Sequence, residues 1–324
     1  MKNAFQPIIA SLFAAICLFE GTSCTNFFSQ TIDADPPEYE KSLVFHTFTS
    51  DRDSFVRVEL TRNFGIFDDV RGTKSWYVGG AVAEWWIDGR REGYFRVATD
   101  SATLADSVVA YEYVLSAPVK AGQRCEIRVS HPDFEPVRAE QTMPSLLYAD
   151  VPQLKRNVAN EPSGGSEIHE VSITIQDTPG EKNYYAFLLR RKERMLTPIF
   201  SGTQVTFDTI EYERSYYFNQ ETDPNFQQGV NSMVLLPDQF FDGNSYRFVG
   251  RFTHYDNGAF NQDSVPYTLI VRKCTEAYYR WSLSYAKQYD AQGNPFIEPI
   301  LVFSNVENGL GIFGLFSERK FELQ

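Results

Sequence analysis

Histidine is scarce in this chain, and its few copies are far apart. The 324 residues contain four histidines, His46, His131, His169 and His254, and they form no H-E-x-x-H or similar close pair. We therefore predict no metal site.

Catalytic motifs are missing as well. The chain has no G-x-S-x-G nucleophile motif and no phosphate-binding glycine loop ahead of a helix. Ser284 and Lys287 form an S-x-x-K pattern, but no S-D-N or K-T-G pattern follows, and this spacing arises by chance on a helix. We expect no enzyme activity, no catalytic residues and no cofactor.

Basic residues are outnumbered by acidic ones. The chain has 30 Lys and Arg against 42 Asp and Glu, which gives a formal net charge of -12. A nucleic-acid backbone would be repelled by this charge, so nucleic acid is excluded as a partner.

Outside the N-terminus the chain has no long apolar run. The run from Ile8 to Phe19 follows Lys2 and is about half the length that a membrane-spanning helix needs. We predict that residues 1–23 are a lipoprotein signal peptide and that Cys24 carries the lipid that tethers the mature protein to a bacterial envelope membrane. An ordinary secretory signal followed by an incidental cysteine is the alternative, because Gly21 stands where lipoprotein signals prefer a leucine-like residue.

Only two cysteines, Cys125 and Cys274, lie in the folded part that this signal leaves. Cys125 alternates with Ile127 and Val129, which is the spacing of inward-facing strand positions, so we predict a buried, unreactive thiol. Whether Cys125 and Cys274 are paired is left open.

The first half of the mature chain follows the two-residue period of β-strands. Val56, Val58 and Leu60 alternate with polar residues, and the segment 81–97 predicts two strands joined by a turn at 88–93. Short strands at such intervals are typical of an immunoglobulin-like β-sandwich.

We place this sandwich at residues 41–150, after an acidic, proline-bearing tether at 24–40. A linker at 151–166 ends in the turn-rich sequence NEPSGGS, and a second β domain follows at 167–324. In that domain we predict that VSITI and YYAFLL form a β-hairpin. The fold class is therefore mostly β.

One segment has the period of a helix instead. Thr275 is a suitable N-cap ahead of Glu276, and the prediction is a helix over about 275–291 that packs on the second β domain. Aromatic residues recur on one face of it at three- and four-residue spacing, and we predict that this face is buried: Tyr278, Trp281, Tyr285 and Tyr289.

Aromatic residues make up 15% of the chain, and they favour strand cores more often than ligand platforms. The candidate exposed contacts are Trp76, Trp85 and Trp86, since Trp85 and Trp86 point to opposite faces of one strand.

A glycine-rich tail supplies the other candidates. Gly309, Gly311 and Gly314 interleave with apolar residues, which allows a close backbone approach. This tail either closes the domain or forms a contact surface, and in the second case its polar groups are Asn305, Glu307 and Asn308.

The tail also carries a family resemblance. PFIEPILVFSNVENGLGIFGLFS, from Pro295 to Ser317, resembles the C-terminal signature of a Bacteroidota lipoprotein family, domain-of-unknown-function family 4249. The resemblance extends over about residues 31–324, through TIDADPPEYEKSLVFH, the CEIRV strand and EAYYRWSLSYAKQYD. It implies a lipid-anchored outer-membrane protein and an accessory role beside TonB-dependent transporters, and it brings no catalytic residues.

We therefore expect a lipoprotein that acts by binding, as an accessory to a TonB-dependent outer-membrane transporter in nutrient uptake. The alternative is a structural or adhesive surface lipoprotein without a small-molecule ligand. Which face of the outer membrane it occupies is left open.

Overall fold

A computed structural model describes residues 39–65, 68, 76–98, 112–160, 166–202, 204–219, 223–255, 266–292, 298 and 300–323. The predicted signal peptide, Cys24 and nearly all of the predicted tether at 24–40 lie outside these residues.

The chain folds mostly into β-strands. The strands before residue 150 are β1 (Leu43–Ser50), β2 (Phe55–Arg62), β3 (Val82–Ile87), β4 (Arg90–Tyr94), β5 (Arg96–Val97), β6 (Glu112–Ser116), β7 (Arg124–His131), β8 (Phe134–Thr142) and β9 (Tyr148–Ala149). The later strands are β10 (Gln153–Asn160), β11 (Ser166–Gln176), β12 (Tyr184–Ser201), β13 (Gln204–Tyr216), β14 (Gln227–Gln228), β15 (Val234–Pro237), β16 (Ser245–Tyr255), β17 (Tyr267–Cys274) and β18 (Leu310–Leu323). One α-helix, α1 (Glu276–Ala291), lies between β17 and β18, and two short 3₁₀ turns cover Val230–Ser232 and Asp238–Phe240.

A central sheet of ten strands runs through the described structure. Its order is β14-β15-β12-β17-β18-β1-β2-β6-β5, and β13 pairs with β12 beside this path. β1 and β18 pair in parallel, whereas the other neighbours are antiparallel. The last strand of the chain therefore joins the N-terminal strands to the C-terminal ones, and the glycine-rich tail is a central strand.

The first hydrophobic core lies between one half of this sheet and a four-stranded sheet of order β4-β3-β7-β8. Val56, Val58 and Leu60 of β2 are fully buried there, as their alternation predicts. Phe313 and Leu315 of β18 belong to the same core, so the C-terminal strand completes it.

The second core lies between the other half of the central sheet and the sheet β10-β11-β16, which β9 extends. Tyr185, Phe187 and Leu189 of β12 point into it, and Ala186 and Leu188 between them point to the opposite face, where α1 packs. The continuous apolar run YYAFLL is explained by this burial on both faces.

The helix is confirmed by the structure. It begins after Thr275, whose side chain accepts a hydrogen bond from the backbone N–H of Tyr278, and it ends at Ala291. No helix in the described ranges is long and apolar enough to cross a membrane.

The predicted β-hairpin of VSITI with YYAFLL is wrong. β11 pairs with β9, β10 and β16, whereas β12 pairs with β13, β15 and β17. The turn after β11 therefore connects two different sheets. β11 and β12 both bury side chains in the second core, and they do so from opposite layers.

Two boundaries also differ from the sequence prediction. The turn predicted at 88–93 is shorter, because Asp88 and Gly89 alone connect β3 to β4, with φ angles of 51° and 80°. The segment predicted as a linker at 151–166 contains β10, which pairs with β11 along the edge of the second small sheet.

Candidate functional site

The outer face of the β4-β3-β7-β8 sheet collects charged and aromatic side chains. Inward-facing residues of these strands fill the first core, so the alternate residues point outward. The pairing register places Glu84 of β3 opposite Arg128 of β7, and Arg128 opposite Arg138 of β8. These residues line an open cleft of about 420 Å³.

The side chains on this face are already paired with one another. Arg128 donates two hydrogen bonds to Glu126, at 2.7 and 2.8 Å, and its guanidinium lies 3.9 Å from the centroid of the Trp86 ring. The Trp86 Nε1–H donates to Glu84 at 3.0 Å. The indole is therefore held between a cation and a carboxylate, and a ligand would have to displace these contacts.

The loop before β18 closes one side of this cleft. Arg138 and Glu307 exchange two backbone hydrogen bonds, and the Arg138 Nε lies 2.6 Å from a Glu307 carboxylate oxygen. Asn308, at a φ of 58°, lines the cleft and donates its side-chain N–H to the carbonyl of Pro136. Glu307 and Asn308 thus attach the tail to β8.

The sequence-based candidates therefore separate in space. Trp86, Glu307 and Asn308 lie at or beside this cleft, whereas Trp76 lies elsewhere, 38% exposed and in ring contact with Phe64. Trp85 was wrong as a surface candidate. It is fully buried in the first core, because its position on β3 faces inward.

Asn305 makes its side-chain hydrogen bonds within the chain. Its side-chain amide accepts from the backbone N–H of Phe313 and donates to the carbonyl of the same residue, both at 2.9 Å. The side chain therefore pairs with the backbone of β18 as a neighbouring strand would, and it holds the loop against β18.

A second cleft, of about 360 Å³, lies beside the C-terminal half of α1. Tyr285 and Tyr289 line it together with Tyr217, and these three side chains are 42%, 66% and 66% exposed. Gln228 and Asp290 add polar groups to its wall. We call this the tyrosine cleft.

The prediction that the aromatic face of the helix is buried is thus only half right. Tyr278 and Trp281 pack against the central sheet, but α1 runs past the edge of the core, so Tyr285 and Tyr289 remain in solvent. The helical period alone could not show where the covering sheet ends.

The backbone at the tyrosine cleft is unusual. Asn231 and Ser232 both line it and have positive φ angles, 54° and 64°, although neither is glycine. Non-glycine residues in this region cost of order 1–3 kcal/mol each, and such strain is concentrated at binding sites. Together with the exposed rings, this makes the tyrosine cleft the better candidate ligand site.

A cluster of two buried carboxylates and one exposed one lies where the turn after β11 meets the 3₁₀ turn at residues 238–240. Oxygen atoms of Asp177, Asp238 and Asp242 lie within 4.8 Å of one another. Asp177 and Asp238 both accept hydrogen bonds from Asn183, and Asp242 accepts from the N–H of Gly180. Burial, and then the charges of Asp177 and Asp242, raise the pKa of Asp238. Among the described residues, this group is the best placed to hold a cation. Its hydrogen bonds to Gly180 and Asn183, however, indicate that it stabilises the turns.

Two of the scattered histidines come together in the second core. The rings of His169 and His254 stack with centroids 5.1 Å apart, and the Tyr267 hydroxyl lies 2.6 Å from His254 Nδ1. Burial, and then the neighbouring His254, lower the pKa of His169. Antiparallel pairing of β11 with β16 creates this contact, which sequence spacing could not reveal.

The two described cysteines are both free and buried. Burial raises the pKa of the Cys125 thiol to about 12, and the nearby Asp88 adds to this shift. Burial also raises the pKa of Cys274.

A family model described as Domain of unknown function (DUF4249) matches residues 29–322. The chain belongs to this family. The match supports the resemblance that the tail carries. It spans both hydrophobic cores, the tyrosine cleft and the cleft on the outer face of the β4-β3-β7-β8 sheet.

No curated protein matches the sequence. Among solved structures, the chain is similar to Spo0M, a sporulation control protein from Bacillus subtilis, at 6% sequence identity and a TM-score of 0.20. The match covers 56% of this chain and 50% of that one, so it spans about half the length of Spo0M, and a likeness this low carries no argument.

Proposed function

We propose that this DUF4249 protein is a Bacteroidota lipoprotein of the outer membrane, anchored through lipid on Cys24 after removal of residues 1–23. The signal pattern ahead of Cys24 supports this anchoring. Several acyl chains on one cysteine make a stable tether, whereas a single chain gives only marginal membrane binding.

Within this proposal, the N-terminal strands form an immunoglobulin-like sandwich that displays the protein's surface. Two sheets that share the first core support such an architecture. The finer immunoglobulin-like topology is part of the proposal.

The protein acts by binding rather than by catalysis. The observation that carries this proposal is the tyrosine cleft, because its three exposed rings offer apolar area at low entropy cost beside the polar groups Gln228 and Asp290. A cleft of about 360 Å³ lies within the size range of small-molecule sites. The role that fits is capture or docking as an accessory to a TonB-dependent transporter in nutrient uptake.

The transporter role is tested by isolating the tagged protein from gently solubilised outer membranes and identifying its companions by mass spectrometry. We expect stoichiometric recovery of a TonB-dependent transporter and an acylated Cys24. A Cys24→Ser variant is the control for acylation, since it should carry no lipid. Recovery of the acylated protein alone would contradict the accessory role and would favour a structural or adhesive lipoprotein.

The tyrosine cleft is tested separately. The protein is purified natively, and small molecules released on denaturation are identified by mass spectrometry. We expect a released compound from the native protein and its loss from a Tyr285→Ala, Tyr289→Ala double variant. Tyr148→Ala is the matched control, because this tyrosine is 57% exposed and does not line the cleft. Equal retention by the double variant and the control would exclude the cleft as the ligand site.

A further inference from the structure

Strands β12 and β13 extend beyond the sheet that holds them. β12 pairs with β17 only from Tyr184 to Arg191, whereas its pairing with β13 continues to Ser201. Residues 192–213 thus form a two-stranded ribbon, which we call the arm, with Thr203 outside the described residues. At about 3.3 Å per residue, the arm is about 33 Å long.

The end of the arm exposes large apolar side chains. Phe200 is 73% exposed and Phe207 is 64% exposed, and Ile199 and Val205 are each 49% exposed. The register places Phe200 opposite Val205 and Pro198 opposite Phe207. Directly opposed residues share a face of the ribbon, and every second pair points to the same side. Phe200, Val205, Pro198 and Phe207 therefore form one apolar face.

Such a face is costly in water. An isolated two-stranded ribbon is marginally stable at best, and it gains nothing from apolar side chains that have no layer to pack against. A cluster of exposed apolar residues at one end of a protein is typical of a contact surface.

The distribution of charge indicates what this surface contacts. No charged residue occurs between Arg194 and Asp208, in a chain of which 22% is charged. Two other long segments beyond residue 50 carry no charge, between Asp223 and Asp238 and between Glu307 and Glu318. Both lie largely in the hydrophobic cores, whereas the uncharged segment of the arm is exposed.

Charges return at the base of the arm. The first charge is that of Asp208, opposite Thr197, and nearer the base Arg194 pairs with Glu211 and Arg190 with Glu213 across the two strands, each at 2.7 Å. The arm therefore has an uncharged end on a charged base.

We propose that the end of the arm inserts into the interfacial layer of a lipid bilayer. A protein pocket accepts charged side chains when it supplies partners, but a bilayer penalises every charge, so the complete absence of charge favours lipid. Amphipathic elements enter this layer by about 5–10 Å, and three steps of about 3.3 Å lead from the terminal pair, Ser201 with Gln204, to the fourth pair, Pro198 with Phe207, so this depth covers Phe200, Val205 and Phe207.

The depth is limited by the backbone. Within the described ranges, no strand pairs with the outer edge of β12 past Arg191 and β13 pairs only with β12, so the outward backbone groups of this ribbon need water or headgroups. The hydrocarbon centre offers neither, so the arm stops in the interface and its ion pairs stay in water.

Vesicle flotation tests the proposal. The mature chain carries Cys24→Ser, so acylation contributes nothing and the result is independent of the proposed anchoring. The vesicles contain phosphatidylcholine alone, which presents no net charge. We expect the protein to float with the vesicles, equally at low and high salt, because the inserted end has no charge to screen.

The decisive variant is Phe200→Ser with Phe207→Ser. Its partition coefficient should fall at least about tenfold for each phenylalanine removed from the bilayer. Phe240→Ser is the matched control, since Phe240 is 65% exposed on a different part of the surface and its variant should float like the parent. Far-UV circular dichroism checks that all three chains are equally folded.

Three outcomes would overturn the proposal. The parent does not float, or the double variant floats as well as the Phe240→Ser control, or salt alone releases the protein. Arm-dependent recovery of a membrane protein without any vesicle binding would assign the arm to a protein partner instead.

Discussion

Replacement of Gly311 by alanine should be among the most damaging single changes in the protein. Gly311 lies in β18 directly opposite Phe45 of β1, in the parallel pair at the centre of the sheet. Its φ is +116°, a value that residues with a Cβ rarely adopt. A Cβ at this position would also overlap the backbone carbonyl of Phe45.

The expected cost has two parts. The backbone conformation costs an alanine about 1–3 kcal/mol, and the steric overlap adds about 1–3 kcal/mol, because the Phe45 carbonyl moves only if β1 separates from β18. The free energy of unfolding should therefore fall by about 2–6 kcal/mol, which is a large part of a typical domain stability of about 5–15 kcal/mol.

Gly122→Ala is the matched control. Gly122 also has a positive φ, +80°, but a Cβ there would meet no atom within 4 Å. The control should lose only about 1 kcal/mol. Urea unfolding followed by tryptophan fluorescence measures both, since Trp85 packs against Phe313 of the same strand. If the two variants differ by less than about 0.5 kcal/mol, the close approach of β18 to β1 is not what requires glycine.

Three further predictions concern the second core, the helix and the thiols. The pKa of His169 is lowered in the folded state, so the unfolded chain takes up a proton first as the pH falls below 6.5, and the free energy of unfolding should decline there. His169→Phe should reduce the slope of the urea unfolding midpoint plotted against pH between 7.5 and 5.5. An unchanged slope would show that His169 does not cause the decline. Thr275→Ala should cost about 1 kcal/mol in urea unfolding through loss of the N-cap, whereas Thr275→Ser should cost much less, and equal losses would exclude capping as the cause. Cys125 and Cys274 should resist a thiol reagent such as DTNB at pH 8 in the folded protein and react fully in urea, and rapid labelling without urea would show that the thiols are accessible.

Local patterns were sufficient where one element faces one layer. Val56, Val58 and Leu60 alternate because β2 has a core on one side only, and they are buried as the alternation predicts. Thr275 marked the start of α1 because its side chain satisfies a backbone N–H of the first turn, which is an interaction within a few residues.

Local patterns failed where the partner lies far away in sequence. VSITI and YYAFLL read as a hairpin because a turn separates them, yet each pairs with strands much further along the chain. For the same reason, the sequence did not predict the tyrosine cleft. Tyr285 and Tyr289 have the spacing of a buried face, and only the position of the sheet edge leaves them exposed.

The amino-acid sequence was enough to predict a mostly β chain with one helix near its C-terminus and to show the family resemblance, because these depend on short periods and contiguous motifs. The fold had to be known to place Trp85 inside and Trp86 outside, to stack His169 on His254, and to insert β18 between β17 and β1. Each of these depends on which strand pairs with which and in what register. A register is set by the packing of whole layers, so no local segment encodes it.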